Sequence, residues 1–482
     1  MYHFRKRKRK RVAALTLTTV ILATATLFPT GQVHAQSSIE TIQGHVTEVQ
    51  TARTSDEKIE LWKQWAREHA YRIKSITPVH EDIESNSFTD LDMLKPLLQD
   101  KRIVFLGESS HGVAEFNLAK TRLIQFLHKE MGYNVLAFES GLSNTSLSNA
   151  IINQKSAEQT MQSSIFGVWW SKEILPLFDY LKTSAQTEQP LILTGFDMQL
   201  QSPLLDGHWL KDQKLAKQLA QTEKQLSEFY IGADLQSYRA KKQEMIQTYK
   251  NILKSLQSKE NQTYLQQEYP NHPELSKLLE RSLEDRIRMA QEYIEISIRS
   301  MIELEEGKVD AFLDSLVWRD KAMNDNLIWL ATEVYPNEKF IVWGHNDHIR
   351  KANSKVMDSS YPVPLMGEIF PEELREISYV LGLYASSGQT ADNAGEVHNV
   401  EPALPGSIEA IMSATNTPYS FLDLRYQKRE AGNAWMFEPR FAYSWGIYPE
   451  SFVPKEQFDG ILMIDNVHPP QYMRFNSSNS KE

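Results

Sequence analysis

Four short apolar runs, at residues 103–106, 135–138, 191–194 and 340–343, constrain this chain most, because each stops at a carboxylate or an imidazole. The first, Ile103-Val104-Phe105-Leu106, breaks into Gly107-Glu108-Ser109-Ser110-His111-Gly112. An amphipathic stretch with Phe116, Leu118, Leu123, Phe126 and Leu127 follows. A β-branched and aromatic run ending in glycine and polar residues predicts a buried strand feeding a loop; the spacing after it predicts a helix. Helical patterns separate the first three runs, which is the βαβ signature of a largely parallel sheet. Further strands are expected at 378–384 and 461–464, and helices over 55–73 and 90–98. The expected fold class is therefore α/β, with a mostly parallel central sheet flanked by helices.

A Lys/Glu/Gln/Leu-rich stretch of helical spacing interrupts that alternation between the third and fourth runs. Its clearest pattern is Leu275, Leu278, Leu279, Leu283, Ile287, Ala290, Ile294, Ile298 and Met301, opening with Pro273 at a helix-start position. No strict heptad persists, so a packed helical insertion is expected over 205–334 rather than a coiled coil. The α/β core then divides into 36–204 and 335–482. Residues 1–35 stand apart: seven consecutive basic residues from Arg5 to Arg11, an apolar run over 12–28, and Val33-His34-Ala35. That is the pattern of a secretory signal peptide, with cleavage expected after Ala35 and a secreted mature protein. Residues 36–55 read as a polar leader, and the last seven residues as a disordered tail.

Composition narrows the partners. The whole chain has 52 Lys and Arg against 62 Asp and Glu; without residues 1–35 the balance is 45 against 62, a net charge of −17. Such a surface argues against nucleic acid and anionic lipid, and for a neutral or cationic small molecule. No second long apolar run suggests stable membrane association. The absence of cysteine excludes a disulfide framework, a thiol nucleophile and thiolate-bound zinc.

In open α/β sheets, ligands bind in the crevice beyond the carboxyl ends of the strands. The first run delivers Glu108 and His111 there. The second ends in Ala137-Phe138-Glu139, the third in Gly195-Phe196-Asp197, and the fourth in Gly344-His345-Asn346-Asp347-His348. Each has an ordinary explanation, since an imidazole after a strand can be a structural hydrogen-bonder and an acid can cap the next helix. Four deliveries to one edge are the functional signal. Trp169, Trp170 and Trp343 read as core. No G-x-S-x-G elbow, P-loop or G-x-G-x-x-G occurs, which disfavours a conventional serine hydrolase and nucleotide chemistry. A neutral imidazole can instead take a proton from water, with a carboxylate to orient it. A metal-dependent hydrolase using Glu108, His111, Glu139, His345 and His348 as ligands stays open. So does a non-catalytic secreted binding protein.

These blocks resemble the erythromycin esterase family. The match begins with Gly-Glu-Ser-Ser-His-Gly at 107–112 and runs through Glu115-Phe116 to a basic position at Lys120. It continues, in order, with Ala137-Phe138-Glu139, Gly195-Phe196-Asp197-Met198-Gln199, Arg319-Asp320-Lys321-Ala322-Met323-Asn324-Asp325-Asn326, Trp343 to His348, and Phe458-Asp459-Gly460. The resemblance covers about residues 75–470. It implies an α/β core topped by helices and a hydrolase that opens macrolactone rings without a metal or other cofactor. By motif, His111 is then the general base, and Glu108, Glu139, His345 and His348 are the acidic and imidazole positions lining the cleft. The expected division of roles has Glu108 or Glu139 orienting the imidazole, with Lys120, Asp197, Arg319, His345 and His348 on the substrate side. Lys120 departs from the family, where that position is typically Arg; a Lys lacks the bidentate guanidinium fork. Some relatives carry names linked to exopolysaccharide production, so a polysaccharide is the ligand of the binding-protein alternative.

Overall fold

The computed structural model describes residues 55–79 and 88–473, apart from 233 and 360. The expected signal segment, most of the polar leader and the tail lie outside the described residues. Eleven strands are described: β1 (Tyr71–Arg72), β2 (Ile103–Leu106), β3 (Tyr133–Gly141), β4 (Ile192–Asp197), β5 (Lys339–Trp343), β6 (Ser378–Ala391), β7 (Val397–Asn399), β8 (Tyr419–Asp423), β9 (Arg440–Ser444), β10 (Tyr448–Phe452) and β11 (Gly460–Val467). The main sheet has the order β1-β8-β11-β6-β2-β5-β3-β4, with β7 paired to the far end of β6. From β11 to β4 every neighbouring pair is parallel, while β1, β8 and β7 join antiparallel. The mostly parallel sheet expected from the four runs is therefore the observed one. A separate antiparallel ribbon is formed by β9 and β10.

Burial on both faces explains why the strands read as continuous apolar runs. Val104, Leu106, Leu136, Phe138, Ile341 and Trp343 belong to one core cluster. Their alternating neighbours Ile103, Phe105, Val135, Ala137, Phe340 and Val342 belong to a second on the other face. The period-two geometry of a strand divides the side chains in this way.

The helices up to β4 are α1 (Asp56–His69), α2 (Leu94–Leu98), α3 (Ala114–Met131), α4 (Leu142–Ala150), α5 (Ala157–Ser164) and α6 (Leu175–Ser184). Helix α1 starts where Ser55 caps the Lys58 N–H and stops at Ala70, which is extended and leads into β1, short of the expected residue 73. Helix α3 ends at Gly132, whose φ of 69° supplies the left-handed cap that terminates a helix cleanly. Between β4 and β5 come α7 (Gln213–Tyr230), α8 (Leu235–Leu256), α9 (Lys259–Glu268), α10 (Leu275–Arg288), α11 (Ile294–Glu305) and α12 (Asp310–Trp329). A π-helical turn, Met289–Tyr293, joins α10 to α11. These helices share a core of their own around Leu226, Tyr249, Leu279, Leu283 and Ile298. A short helix, α13 (Asn346–Ile349), follows β5 directly.

Candidate functional site

Sheet order turns four separated chain segments into neighbours. Strand β5 sits between β2 and β3, and β4 lies beyond β3. The carboxyl ends of four adjacent strands therefore meet along one edge.

The loop after β2 is shaped by close backbone packing. A Cβ on Gly112 would lie 1.9 Å from the Ala391 carbonyl oxygen, so only glycine lets this loop pair with the end of β6. Upstream, Glu108 is completely buried and its carboxylate bonds to three side chains. Its Oε1 accepts from His111 Nδ1 at 2.6 Å and from the Trp169 indole at 2.8 Å, and its Oε2 accepts from Lys120 Nζ at 2.9 Å. Lys120 is equally buried, in mid-α3, with its ammonium 3.8 Å from the Trp343 ring centre. Burial alone would raise the Glu108 pKa, but the ammonium of Lys120 and the imidazole of His111 hold it below the ordinary value. Burial also pushes the lysine down, to about 8, against the pull of Glu108. The carboxylate is therefore ionised and can only accept hydrogen bonds.

That fixes the His111 tautomer. An acceptor-only oxygen at 2.6 Å requires the proton on Nδ1. Burial holds the ring below the ordinary imidazole pKa despite Glu108. Nε2 then carries a lone pair, and among the described residues it has no hydrogen-bond partner. The side chain keeps 11% of its surface exposed, whereas those of Glu108 and Lys120 keep none.

The second half is built on β3, β4, β5 and α12. The β3–β4 register shifts between Phe138 and Gly141, and this irregularity carries Glu139. Bulges of this kind re-aim side chains next to active sites. Glu139 Oε1 accepts from Arg319 at 2.9 Å, and its Oε2 takes the His345 backbone N–H at 2.8 Å. Arg319, on α12, also grips Asp197 Oδ2 through Nη2 at 2.6 Å and Nε at 3.1 Å. His348 places Nδ1 2.8 Å from Asp320 Oδ1 and Nε2 3.3 Å from Glu139 Oε1. Burial would lower its pKa, but the two carboxylates raise it to about 9, so the ring is an imidazolium at neutral pH. As such its Nε2–H points to Glu139, and the Arg319 Nη1 atom at 3.2 Å is a like-charged neighbour rather than a donor. Burial works against the Glu139 charge, yet His348 and Arg319 bring that carboxyl down to about 2.

His345 lies between the halves, its ring centre 5.0 Å from that of His111. Its Nδ1 accepts the Asp347 N–H at 3.3 Å, as the cap of α13. The Asp347 carboxylate puts Oδ2 3.2 Å from the same Nδ1 and is also engaged by Arg350 and the Tyr361 hydroxyl. Nε2 of His345 is buried and has no partner among the described residues. Such an atom is costly unless something else meets it.

Every candidate named from the sequence falls on this edge. Glu108 partners His111, whereas Glu139 partners Arg319, His348 and the backbone at His345. Lys120 is sealed beneath Glu108, and Asp197 and Arg319 form a charge pair in the second half. Trp169 and Trp343 are core residues, yet one donates to Glu108 and the other lies under Lys120. Three contributors were not foreseen: Asp320, Asp347 and Trp445, whose ring centre lies 5.1 Å from that of His345 and 5.3 Å from that of His111. The first two lie in the motif blocks as acids beside Arg319 and His345, a usable signal. Trp445 carries no local signal beyond a bulky residue before a glycine.

The metal-ligand alternative asks whether the site's donor atoms converge. Among the described residues, apart from Nε2 of His111 and of His345 and Oδ2 of Asp320, they are turned to protein partners. Among the described residues, the acidic and imidazole side chains that bring three ligand atoms all within 4.8 Å of one another are Asp392, Glu396 and His398, at the β6–β7 turn. There the Asp392 carboxylate is already occupied by the N–H groups of Ala394 and Glu396.

Known proteins resemble the chain in sequence and in fold. A family model described as erythromycin esterase matches residues 128–467; Glu108, His111 and Lys120 lie ahead of that match. Over 430 residues the chain is 34% identical to the putative hydrolase YbfO of Bacillus subtilis (strain 168), an alignment spanning 87% of this chain and 94% of that protein. It is 21% identical over 402 residues to erythromycin esterase type II of Escherichia coli, spanning 79% and 93%. A solved structure of a mutant of erythromycin esterase EreC, in its open conformation, superposes with a TM-score of 0.55 at 20% identity. That superposition covers 80% of this chain and 95% of that one, a likeness of fold.

Proposed function

The chain belongs to the erythromycin esterase family and is a hydrolase, and from that premise we propose that it cleaves carboxylic esters, lactones among them, with His111 activating the attacking water. The observation that carries this reading is the pinned tautomer: an ionised Glu108 on Nδ1 leaves Nε2 as the bare, partly exposed nitrogen of a neutral ring. In the first step Nε2 removes a proton from water as its oxygen bonds to the ester carbonyl carbon. The resulting imidazolium is stabilised by Glu108. The tetrahedral oxyanion then collapses, the ester C–O bond breaks, and the alkoxide leaves with the proton from Nε2. Water is consumed, and the products are an acid and an alcohol, or one hydroxy acid from a lactone.

Lys120 takes a different part from the substrate contact first expected: buried on Glu108, it keeps that carboxylate charged. His345 is the proposed oxyanion donor. In this role its unpartnered Nε2 carries a proton, while Nδ1 faces the Asp347 N–H at 3.3 Å and the Asp347 Oδ2 at 3.2 Å. Arg319 and the His348 imidazolium supply positive potential beside it, held by Glu139, Asp197 and Asp320. A macrolide-like substrate is proposed from the names of the relatives, and export from the pattern of residues 1–35.

The test is mass spectrometry after incubating purified protein with erythromycin, other macrolides and simple lactones. A gain of one water by any of them identifies reaction and substrate together. His111→Ala, with its fold confirmed by circular dichroism, should lower the rate by about 10²–10⁴-fold. Full activity in that variant would refute the assignment.

A further inference from the structure

Trp445 sits at the turn of the β9–β10 ribbon with φ 58°. For a bulky side chain that left-handed backbone is an outlier, and outliers persist only where their surroundings over-determine them. Two anchors do so here. The Trp445 N–H donates to the Ser109 carbonyl at 2.7 Å, tying the turn to the loop that carries His111. Glu450, on β10, holds Arg350 at 2.7 Å in a buried pair, and Arg350 in turn holds Asp347, two residues after His345. The ribbon thus bridges both imidazole-bearing segments while standing outside the main sheet.

The indole is what this arrangement delivers. Its ring centre is 5.3 Å from that of His111 at 88°, and 5.1 Å from that of His345 at 23°. Trp169 closes on His111 at 4.7 Å and 72°. A hydrogen bond at Nδ1 places one ring atom but leaves the ring free to swing about it. The two indoles packed against the ring, Trp169 and Trp445, restrict that freedom. We propose that Trp445 is a positioning residue, held in its left-handed turn so that its indole fixes the plane of the His111 ring, aims Nε2 at the substrate water and keeps bulk solvent from the Glu108 bond. This rests on the reading of His111 as the base. The charged and titratable groups facing His111 are Glu108 from its own loop, Glu139 from β3 and His345 after β5, with Lys120 behind Glu108.

The test is an NMR titration of the full chain labelled at its histidine nitrogens, which needs no substrate, alongside erythromycin hydrolysis. In Trp445→Ala the His111 midpoint should rise by about one pH unit as water reaches the ring. On erythromycin, kcat should fall by about tenfold or more with KM nearly unchanged. Trp445→Phe should restore most of both. Trp445→Leu replaces the alanine variant should that one fail to fold. A midpoint and kcat unchanged in the alanine or leucine variant would overturn the proposal. If His111→Ala is inactive while Trp445→Ala behaves as wild type, only this inference fails; if His111→Ala stays active, the reading of the base fails as well.

Discussion

The two halves of the site use the same residue types and reach opposite protonation states. In the first, His111 and Glu108 sit 2.6 Å apart, and the ring is neutral. In the second, His348 lies among Asp320, Glu139 and Arg319, and the ring is charged. Burial opposes the imidazolium in both. The difference is which side of the balance wins. At His111 burial, with His345 adding to it, outweighs the hydrogen bond and charge of Glu108. Asp320 and Glu139 both act on His348, and Arg319 divides its charge between Glu139 and Asp197. Environments that push like groups apart in pKa are how one site holds a base and a cation together at neutral pH.

The sharpest way to break that contrast is to remove the cation from the first half. Lys120→Met leaves Glu108 buried without its counter-charge and should cost about 3–5 kcal/mol, read by urea unfolding. Replacing Glu108 by Gln in the same chain should recover part of that loss. A cost below about 1 kcal/mol would show that the pair does not keep Glu108 ionised.

The second half is tested by pH. The folded pKa of His348, about 9, exceeds its unfolded value of 6.5. The folded chain therefore holds a proton that the unfolded chain has lost between those values. The contribution is complete below pH 6.5 and disappears as pH rises through about 9. The stability difference between wild type and His348→Gln should shrink across that window, by on the order of 3 kcal/mol. A difference that is flat with pH would mean that the ring is not charged. The smallest effect belongs to Trp169→Phe, which keeps an aromatic wall but deletes one donor to Glu108. About 2 kcal/mol should be lost by thermal or urea unfolding, and no change would make that bond incidental.

The contrast between the halves also marks where sequence reasoning stops. The run 103–106 is strand β2 residue for residue, and 340–343 differs from β5 by the single residue Lys339. Continuous apolar runs bounded by glycine carry that information locally. Strand β8, Tyr-Ser-Phe-Leu-Asp, is short and mixed, and takes its identity from pairing with β11 more than 30 residues later. The edge bearing Glu108, Glu139, Asp197, His345 and His348 was legible because each follows its own strand. Which acid serves which imidazole was not, since that depends on β5 entering between β2 and β3 and on the irregularity at Glu139. Trp445 was the least legible. Its part comes from a left-handed turn and from contacts across more than 300 residues of chain, neither of which leaves a pattern in its neighbours.

The central claim concerns one ring nitrogen, and NMR of the histidine-labelled protein at neutral pH observes it directly. His111 should show a protonated Nδ1 and a bare Nε2 while His348 shows both nitrogens protonated. A doubly protonated His111, or one with its proton on Nε2, would contradict the account.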